Sequence, residues 1–273
     1  MTRRTVTEVV DGHGRSRPDT VVTEEPLEIR LGWPGHAAHR VAVTMRTPGA
    51  DFELATGFLL SEGVIGVGVP PHSVGYCVDR QLRLEERLNV VLVTLAAAPR
   101  RTPGQRTIAM SSACGVCGAE SLADVFTPDD DPLDVTPQHH VADLPRLMES
   151  LLDHQPLFGR TGAIHAAGVY TSTGELVVAR EDIGRHNAVD KVLGARQLGS
   201  VGYDETGLLC VSGRIGFDIV SKAVAGRIGT VVAVGGPSSL ALDLADRAGI
   251  TVCGFTRGAR CVVYTHPGRL KIG

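Results

Sequence analysis

Two short apolar runs that end in glycine decide the fold: Leu208-Leu209-Cys210-Val211-Ser212-Gly213 and Thr230-Val231-Val232-Ala233-Val234-Gly235-Gly236. Each run is rich in leucine or valine and is short, as strands are when both faces of their sheet are covered. Apolar residues at helical spacing follow each run, and the first of these helices is predicted from Ile215 to Val224. The pattern therefore predicts an α/β layered domain.

The same alternation of strand and helix extends over the rest of the C-terminal half. A helix with Pro145 in its first turn is expected from Asp143 to about His154. Further strands are predicted at Ala163–Thr171, Glu175–Arg180, Thr251–Phe255 and Arg260–Tyr264, and a further helix at Arg185–Gln197. Residues 143–273 are accordingly expected to form one α/β domain.

The N-terminal part is predicted to consist mainly of strands. Asp51 is placed to cap a helix that ends at Gly63. The predicted strands are Val21–Ile29, Arg40–Met45, Val74–Val78, Leu82–Glu85 and Asn89–Leu95. We therefore expect a flexible polar tail at 1–20, a smaller β-rich module at 21–98, and a loop with linker at 99–142, so that the chain is α+β overall.

The composition is typical of a folded soluble protein. Of 273 residues, 43% are hydrophobic and 21% are charged, and the net charge is −3. These values exclude a largely disordered chain and argue against a broad nucleic-acid-binding surface. No apolar run approaches the ~20 residues that span a bilayer, and no signal sequence is recognisable, so a cytoplasmic location without membrane contact is expected. Six cysteines are too few for a disulfide scaffold.

The most distinctive motif is Cys114-Gly115-Val116-Cys117-Gly118, which places two thiols close together. Its glycines leave the sulfurs sterically open to a large electrophile or a partner thiol. A neighbouring thiol or a turn of amide donors lowers the pKa of one thiol, and the resulting thiolate attacks a disulfide or a persulfide. Cys114 and Cys117 are therefore the candidate catalytic residues of a sulfur transfer.

Three other interpretations of this motif stay open. Half of a zinc site would need further ligands, for which His139, His140 and His165 are available, although no second pair of cysteines has the required spacing. A thioredoxin-type dithiol would need a preceding strand and a following helix, and neither pattern is present. The third interpretation is ordinary cysteines in a tight turn. Cys210 and Cys253 lie in apolar runs and are expected to be buried and unreactive.

Three turns are candidate anion sites. Ser212-Gly213-Arg214 and Gly235-Gly236-Pro237-Ser238-Ser239 each precede a predicted helix, where free backbone N–H groups suit phosphate. Neither matches a Walker loop or a dinucleotide fingerprint, and strand-ending glycines with helix-capping serines are the alternative. The third turn is Phe255-Thr256-Arg257-Gly258-Ala259-Arg260. Its two arginines can bind a pyrophosphate and its phenylalanine ring can stack on a base. The alternative interpretation is a solvated basic turn.

A dense run of charged residues, Arg180–Lys191, includes the start of a predicted helix. His186 and Asp190 are four residues apart and lie on one face of that helix. The run is interpreted as an active-site wall or as a salt-linked helix start, and the spacing favours ion pairs of the common surface kind. His165, in a strand of small residues, is expected to be a hydrogen-bonded core histidine.

Together these blocks resemble the FdhD family of formate dehydrogenase accessory sulfurtransferases. The resemblance covers about residues 20–270 and rests on the order of several blocks. The matching blocks are Gly57–Gly63, Ser112–Gly118, Gly162–Gly168, Arg180–Lys191, Ser212–Arg214 and Phe255–Arg260.

The resemblance implies a sulfur carrier. In this family a cysteine desulfurase delivers persulfide sulfur to the CxxC loop. The accessory protein passes that sulfur to the molybdenum (or tungsten) bis(molybdopterin guanine dinucleotide) cofactor, which then enters the catalytic subunit of formate dehydrogenase. By this resemblance Cys114 carries the persulfide and Cys117 supports it. The residues that match the family's cofactor-binding segment are Phe255, Thr256, Arg257, Gly258, Ala259 and Arg260.

The resemblance further implies a homodimer whose C-terminal domain has a cytidine-deaminase-like fold. It does not imply the zinc site of the deaminases, because Ala113 rather than proline precedes Cys114 and no His-x-Glu lies upstream. No resident metal is therefore expected. Two alternatives to a sulfurtransferase are a non-catalytic chaperone that binds the cofactor and formate dehydrogenase, and a zinc hydrolase of the deaminase type.

Overall fold

The computed structural model describes residues 1–78, 83, 86–101, 139–199 and 206–272. Its strands are β1 (Thr2–Val10), β2 (His13–Val21), β3 (Glu25–Trp33), β4 (His36–Arg46), β5 (Ser73–Tyr76), β6 (Val90–Thr94), β7 (His165–Thr171), β8 (Leu176–Asp182), β9 (Thr206–Val211), β10 (Thr230–Ala233), β11 (Thr251–Arg257) and β12 (Arg260–Val263). Its helices are α1 (Asp51–Ser61), α2 (Leu144–Asp153), α3 (Phe158–Thr161), α4 (Arg185–Gln197), α5 (Phe217–Ala225) and α6 (Ser239–Ala248). The predicted mixed α/β class is confirmed.

The larger sheet has six strands in the order β12-β11-β10-β9-β7-β8. Its central strands β9, β10 and β11 run parallel, and α5 and α6 connect them. Alternate residues point to opposite faces: Leu209 and Val231 pack with apolar residues of α4, α5 and α6, whereas Cys210 and Val232 pack with those of α2. Burial on both faces explains why these strands appear in the sequence as continuous apolar runs.

The smaller sheet has four strands in the order β4-β3-β6-β5, and its hydrophobic core continues into that of the larger sheet. Leu27 and Ile29 of β3 and Leu59 of α1 belong to the same buried cluster as Leu193 of α4. The contact between the two parts is formed mainly by α1 packing on α4. The N-terminal strands and the C-terminal layers therefore share one core.

Buried ion pairs reinforce this contact. Lys191 Nζ lies 2.7 Å from Asp182 Oδ2 and donates to the carbonyl of Thr47 at 2.9 Å, while the Thr47 N–H donates to Asp182 Oδ2 at 3.1 Å. Lys222 Nζ lies 2.7 Å from Asp190 Oδ1. The expectation of surface ion pairs in Arg180–Lys191 is therefore wrong, because their partners lie on other elements and exclude water from them.

Residues 1–21 form a hairpin in place of the expected loose tail. β1 and β2 pair antiparallel from Thr2 opposite Val21 to Val10 opposite His13. Asp11 and Gly12, which connect them, have φ values of 51° and 81°. Two consecutive residues with positive φ are characteristic of a type I′ turn, for which Asp-Gly is a preferred pair. The tail was predicted because glycines and charged residues, which are frequent in this segment, are also typical of flexible chain ends.

Most other predicted elements occur with shifted ends, and α4 has the predicted bounds. Asp51 is the first residue of α1 and not its cap, which is Ala50 in the left-handed region at φ 55°. The Asp51 carboxylate instead forms a buried ion pair with Arg46 Nη2 at 2.9 Å. Of the predicted strand Leu82–Glu85, only residue 83 lies within the described part. No described helix is long and apolar enough to cross a bilayer.

Candidate functional site

Three turns meet where the parallel strands β9, β10 and β11 end. The N–H of Gly235 donates to the carbonyl of Gly213 at 3.2 Å, and the N–H of Phe255 donates to that of Gly235 at 3.1 Å. The N–H of Ile215 donates to the carbonyl of Gly236 at 3.1 Å. Parallel strands have their carboxyl ends at one edge, so the junctions after β9 and β10 and the bend in β11 come together there.

A cavity of about 330 Å³ opens at this edge of the sheet. Its walls are formed by Arg214–Asp218 after β9, by Gly236–Ser238 after β10, and by Arg185 at the start of α4. This volume lies within the range of small-molecule pockets. Two of the three predicted anion sites therefore line one cleft.

Two arginines give the cleft a positive charge. Arg185 Nε lies 3.1 Å from Asp218 Oδ2, at an angle that leaves this N–H without a hydrogen-bond acceptor among the described residues. Arg214, which also lines the cleft, is exposed. A single carboxylate, that of Asp218, opposes the two cations among the cleft-lining residues. The cleft therefore suits an anion that can accept the N–H groups of both arginines.

The start of α5 adds backbone donors to the same cleft. Its cap, Gly216, has no side chain to accept a hydrogen bond. The Ile219 N–H donates to the Gly216 carbonyl at 3.1 Å, which leaves the N–H groups of Phe217 and Asp218 as the donors of this turn. The next helix, α6, differs because Ser238 Oγ accepts from the Ala241 N–H at 3.3 Å. Free first-turn N–H groups carry the positive end of the helix dipole, so α5 rather than α6 is arranged to bind phosphate.

The histidines near the cleft are held in their neutral forms. Burial, followed by the charges of Arg185 and Arg214, lowers the pKa of His165, whose Nδ1 lies 3.5 Å from Ser212 Oγ. Burial, followed by the charge of Lys222, lowers the pKa of His186 to about 4. At neutral pH the positive charge of the cleft therefore comes from its arginines.

The predicted segment Phe255–Arg260 forms the end of β11 and the turn into β12. Phe255 has a φ of 51°, and its ring covers Gly236, where a β-carbon would lie 2.6 Å from the ring. The guanidinium of Arg260 lies over the ring, 5.5 Å from its centroid. Phe255 thus borders the cleft through Gly236, whereas Arg257 and Arg260 are exposed beside the cleft and do not line it.

The candidate catalytic residues Cys114 and Cys117 lie outside the described residues. Cys210 and Cys253 are fully buried, as predicted, and burial raises the pKa of Cys210. Within the described residues, no group of three or more histidine, cysteine or acidic side chains is arranged to hold a metal ion, so the possible ligands His139 and His165 do not meet in such a group.

Arg185 belongs to Arg180–Lys191, for which an active-site wall was one of the two interpretations, whereas Asp218 lies in none of the predicted candidate segments. Both lie in the first turn of a helix, and the strand before each helix ends in a short turn. For Asp218 that position is the only signal in the sequence, because its ion pair with Arg185 joins elements far apart in sequence. The sequence pattern thus identified the turns that line the cleft and, as one of two interpretations, the helix start at Arg185.

Comparisons with known proteins agree over nearly the whole chain. The sequence model of the FdhD/NarQ family matches residues 22–271. A sulfur carrier protein FdhD from Streptomyces avermitilis is 45% identical over 284 residues, covering 99% of this chain and 95% of that protein. One from Mycolicibacterium paratuberculosis is 44% identical and covers 98% of each chain.

A solved structure has the same fold. It is the crystal structure of a putative formate dehydrogenase accessory protein from Desulfotalea psychrophila, and it matches with a TM-score of 0.75 over 99% of both chains. The sequence identity is 24%, so this likeness bears on the fold alone.

Proposed function

The chain belongs to the FdhD/NarQ family, and on that basis we propose that it is a sulfur carrier that serves formate dehydrogenase. It accepts persulfide sulfur from a cysteine desulfurase on Cys114, supported by Cys117, and transfers it to the molybdenum bis(molybdopterin guanine dinucleotide) cofactor before insertion. The observation that carries the proposal is the 45% identity to a sulfur carrier across 99% of the chain.

The sulfur transfer needs no external oxidant. The Cys114 thiolate attacks the outer sulfur of the donor persulfide, a new sulfur–sulfur bond forms, and the donor cysteine leaves as a thiolate. In the second transfer the sulfur–sulfur bond at Cys114 would break, the outer sulfur would pass to the cargo, and Cys114 would be released as a thiolate. This step differs from the first, because the cargo in its reduced form would have to supply the two electrons that convert sulfane sulfur to sulfide. Cys117 stabilises the thiolate form of its neighbour in both steps.

The cleft is the place proposed for one guanosine diphosphate part of the cargo. Its pyrophosphate accepts N–H groups from Arg185, Arg214 and the first turn of α5. The exposed ring of Phe255 stacks on the base. Arg257 and Arg260, beside the cleft, hold the remaining phosphate charge. The residues present therefore fit an anionic nucleotide, and the charge of the cleft argues against an apolar ligand.

The first test is sulfur loading. The purified protein is incubated with a cysteine desulfurase and cysteine, and its tryptic peptides are analysed by mass spectrometry. We expect one added sulfur on the peptide that contains Cys114 and Cys117, and none in the Cys114→Ala variant. A normal level of formate dehydrogenase maturation with Cys114→Ala would overturn the carrier role.

The alternatives make different predictions in the same experiments. A non-catalytic chaperone would bind guanosine diphosphate and support maturation even when both cysteines are replaced by serine. A zinc hydrolase would contain stoichiometric zinc that is lost with Cys114 or Cys117. The proposed partners and the homodimer are tested by co-purification with the desulfurase and formate dehydrogenase and by light scattering.

A further inference from the structure

The N-terminal hairpin forms a sheet of its own, and one edge of that sheet is open. β1 and β2 pair with each other over nine residues each, without a shift in register, and within the described part of the chain they pair with no other strand. β2 also contacts α3. A long unpaired strand edge is a template on which a further strand can form hydrogen bonds.

The turn between the two strands determines which backbone groups of β1 point outward. Val10 and His13 flank the two-residue turn and form a hydrogen-bonded pair. Hydrogen-bonded and non-hydrogen-bonded pairs alternate along an antiparallel ladder, so Thr5 and Thr7 belong to non-hydrogen-bonded pairs. Their N–H and C=O groups therefore point away from β2. Pro18, opposite Thr5, fits this alternation because it has no N–H to give to the ladder.

The two edges of the hairpin differ in their capacity to pair. Pro18 removes a donor from the outer edge of β2, as proline does in strands that avoid edge-to-edge pairing. The outer edge of β1 contains neither a proline nor a bulge over its nine residues. Val9 and Val10 at its end are 65% and 55% exposed. β1 is therefore the edge on which a further strand can pair.

The sequence of β1 is complementary to itself in the antiparallel direction. When Val6 lies opposite Val6 of a second copy, Thr5 of one copy is opposite Thr7 of the other. In the same register Arg4 is opposite Glu8. The outward-pointing backbone groups of Thr5 and Thr7 then bond to each other, as a hydrogen-bonded pair requires. Threonine pairs and pairs of opposite charge are both favourable cross-strand neighbours.

This register also continues the charge pattern of the hairpin. Within one chain Arg4 is opposite Asp19, and Glu8 is opposite Arg15. Arg15 Nε donates to Glu8 Oε2 at 2.6 Å. Across two copies the row of opposed side chains is therefore Asp19, Arg4, Glu8 and Arg15, with signs that alternate over four strands. The two-fold symmetry of the pairing gives a second row of the same kind.

Neighbouring registers lack this match. A pairing centred on Thr5 places Arg4 opposite Val6, and a pairing centred on Thr7 places Glu8 opposite Val6. Each puts a charged group opposite an apolar side chain and leaves the other charge of β1 without an opposite charge across the interface. The charges of β1 therefore favour the register centred on Val6.

From this arrangement we infer that β1 is an interface with a second copy of the chain, in which two hairpins form one four-stranded antiparallel sheet centred on Val6. A sheet of three or more strands is more stable than a lone hairpin, which is marginally stable in water. The pairing follows from the residues of β1 and β2 alone. Its identification with the interface of the proposed homodimer rests on the proposed function.

Engineered cysteines test the register. The background protein keeps only the buried Cys210 and Cys253, and serine replaces the other four cysteines. Val6→Cys then places two thiols in a non-hydrogen-bonded pair, whose Cα atoms are ~4.5 Å apart and so within the range of a disulfide. Oxidation with copper phenanthroline should give a disulfide-linked dimer on a non-reducing gel.

Val9→Cys in the same background is the matched control. Residue 9 lies three positions beyond the centre in opposite directions in the two copies, so its two thiols would be ~20 Å apart along the strands. We expect no disulfide-linked dimer from this variant, although Val9 is more exposed than Val6 and would react faster in random collisions.

A pair of proline variants tests the open edge. Thr7 and Ser16 are opposite each other in the hairpin, and the N–H of each points outward on its own strand. Thr7→Pro removes a donor from the edge of β1 and should halve the molar mass measured by light scattering. Ser16→Pro makes the same change on the edge of β2 and should leave the mass unchanged. Both prolines restrict the hairpin in the same way, so a loss confined to Thr7→Pro measures the role of the β1 edge.

The outcomes separate this inference from the proposed function. A dimer that persists with Thr7→Pro overturns the inference and leaves the homodimer intact, whereas a monomeric wild-type protein overturns both. Equal cross-linking of the two cysteine variants overturns the register on which the inference depends. Sulfur loading of the CxxC peptide is measured separately. Its absence overturns the carrier role, while a mass halved by Thr7→Pro alone still supports the inference.

Discussion

Gly57 of α1 faces Gly194 of α4 so closely that a β-carbon added to Gly57 would lie 2.9 Å from the backbone nitrogen of Gly194. The same added atom would overlap the carbonyl of Asp190, and one added to Gly194 would overlap that of Glu53. The two helices therefore approach each other backbone to backbone, and only glycine at both positions permits this packing.

Alanine at Gly57 or Gly194 should therefore destabilise the protein. Each methyl group would push apart two helices whose backbones cannot yield, and overpacking of this kind typically costs ~1–3 kcal/mol. We expect each variant to lower the free energy of unfolding by at least this amount in urea denaturation followed by circular dichroism. Gly159→Ala is the control, since a β-carbon there meets nothing within 4 Å. Equal stability of all three variants would contradict the observed packing.

Lys222→Met should produce a protein whose stability falls as the pH rises. Burial raises the pKa of Asp190, while Lys222 and Ser61 lower it, so loss of the lysine raises it further. A carboxylate with a raised pKa contributes most stability below its unfolded pKa of ~3.9, and that contribution is lost as the pH rises through the folded pKa.

At neutral pH the buried, unpaired charge is expected to cost ~3–5 kcal/mol. Urea midpoints at acid and neutral pH measure the difference. The double variant Lys222→Met with Asp190→Leu removes both charges and should recover most of the loss. A pH-independent loss in the single variant would show that lost packing, and not the charge of Asp190, is responsible.

His186 should make the protein less stable in mild acid. Its pKa is lowered to about 4 chiefly by burial, so the unfolded chain takes up a proton at higher pH than the folded protein does. The stability that its neutral form provides is complete above ~6.5 and is lost as the pH falls toward the folded pKa, by ~3 kcal/mol at most. Imidazole titration by NMR should show no midpoint for His186 above pH ~5, and His186→Gln should flatten the acid limb of the stability curve.

Arg185→Gln and Arg214→Gln should each weaken the binding of guanosine diphosphate. A charge-assisted hydrogen bond contributes ~1.5–3 kcal/mol, so calorimetry should show a loss of ~10-fold to 100-fold in affinity. Arg146→Gln, on the exposed side of α2, is the control and should bind normally. The proposed position would be contradicted if both cleft variants bound normally while Arg257→Ala and Arg260→Ala bound more weakly. The nucleotide site would then lie at the β11–β12 turn and not in the cleft.

The parts of the fold that depend on local pattern could be predicted. The apolar runs of β9 and β10 with their glycines, and the spacing within Arg185–Gln197, are short-range signals, and the structure contains these elements. The hairpin at 1–21 was missed because its Asp-Gly turn signal competes with glycines and charges typical of a tail. The division of the remaining chain into a β-rich module, a linker and an α/β domain stays a prediction.

The parts that depend on distant partners could not be predicted. Arg180 Nη2 donates to Glu53 Oε1 at 2.7 Å across 127 positions of sequence, and Lys191 reaches Thr47 in the same way. No spacing rule relates such residues. Their charged groups were therefore predicted to lie on the surface, whereas the fold covers them. The same reason explains why the turns of the cleft were predicted and Asp218, which pairs with Arg185 there, was not.

The core shared by α1 and α4 has a consequence for how the chain can be divided. Two separately expressed polypeptides, residues 1–101 and residues 139–273, would each expose a large apolar face that only the other covers. Neither should be soluble as a folded species alone, whereas together they should reassemble as the halves of a split protein do. The two polypeptides thus form a complementation system. Binding of a fluorescent guanine nucleotide to the restored cleft would measure their association.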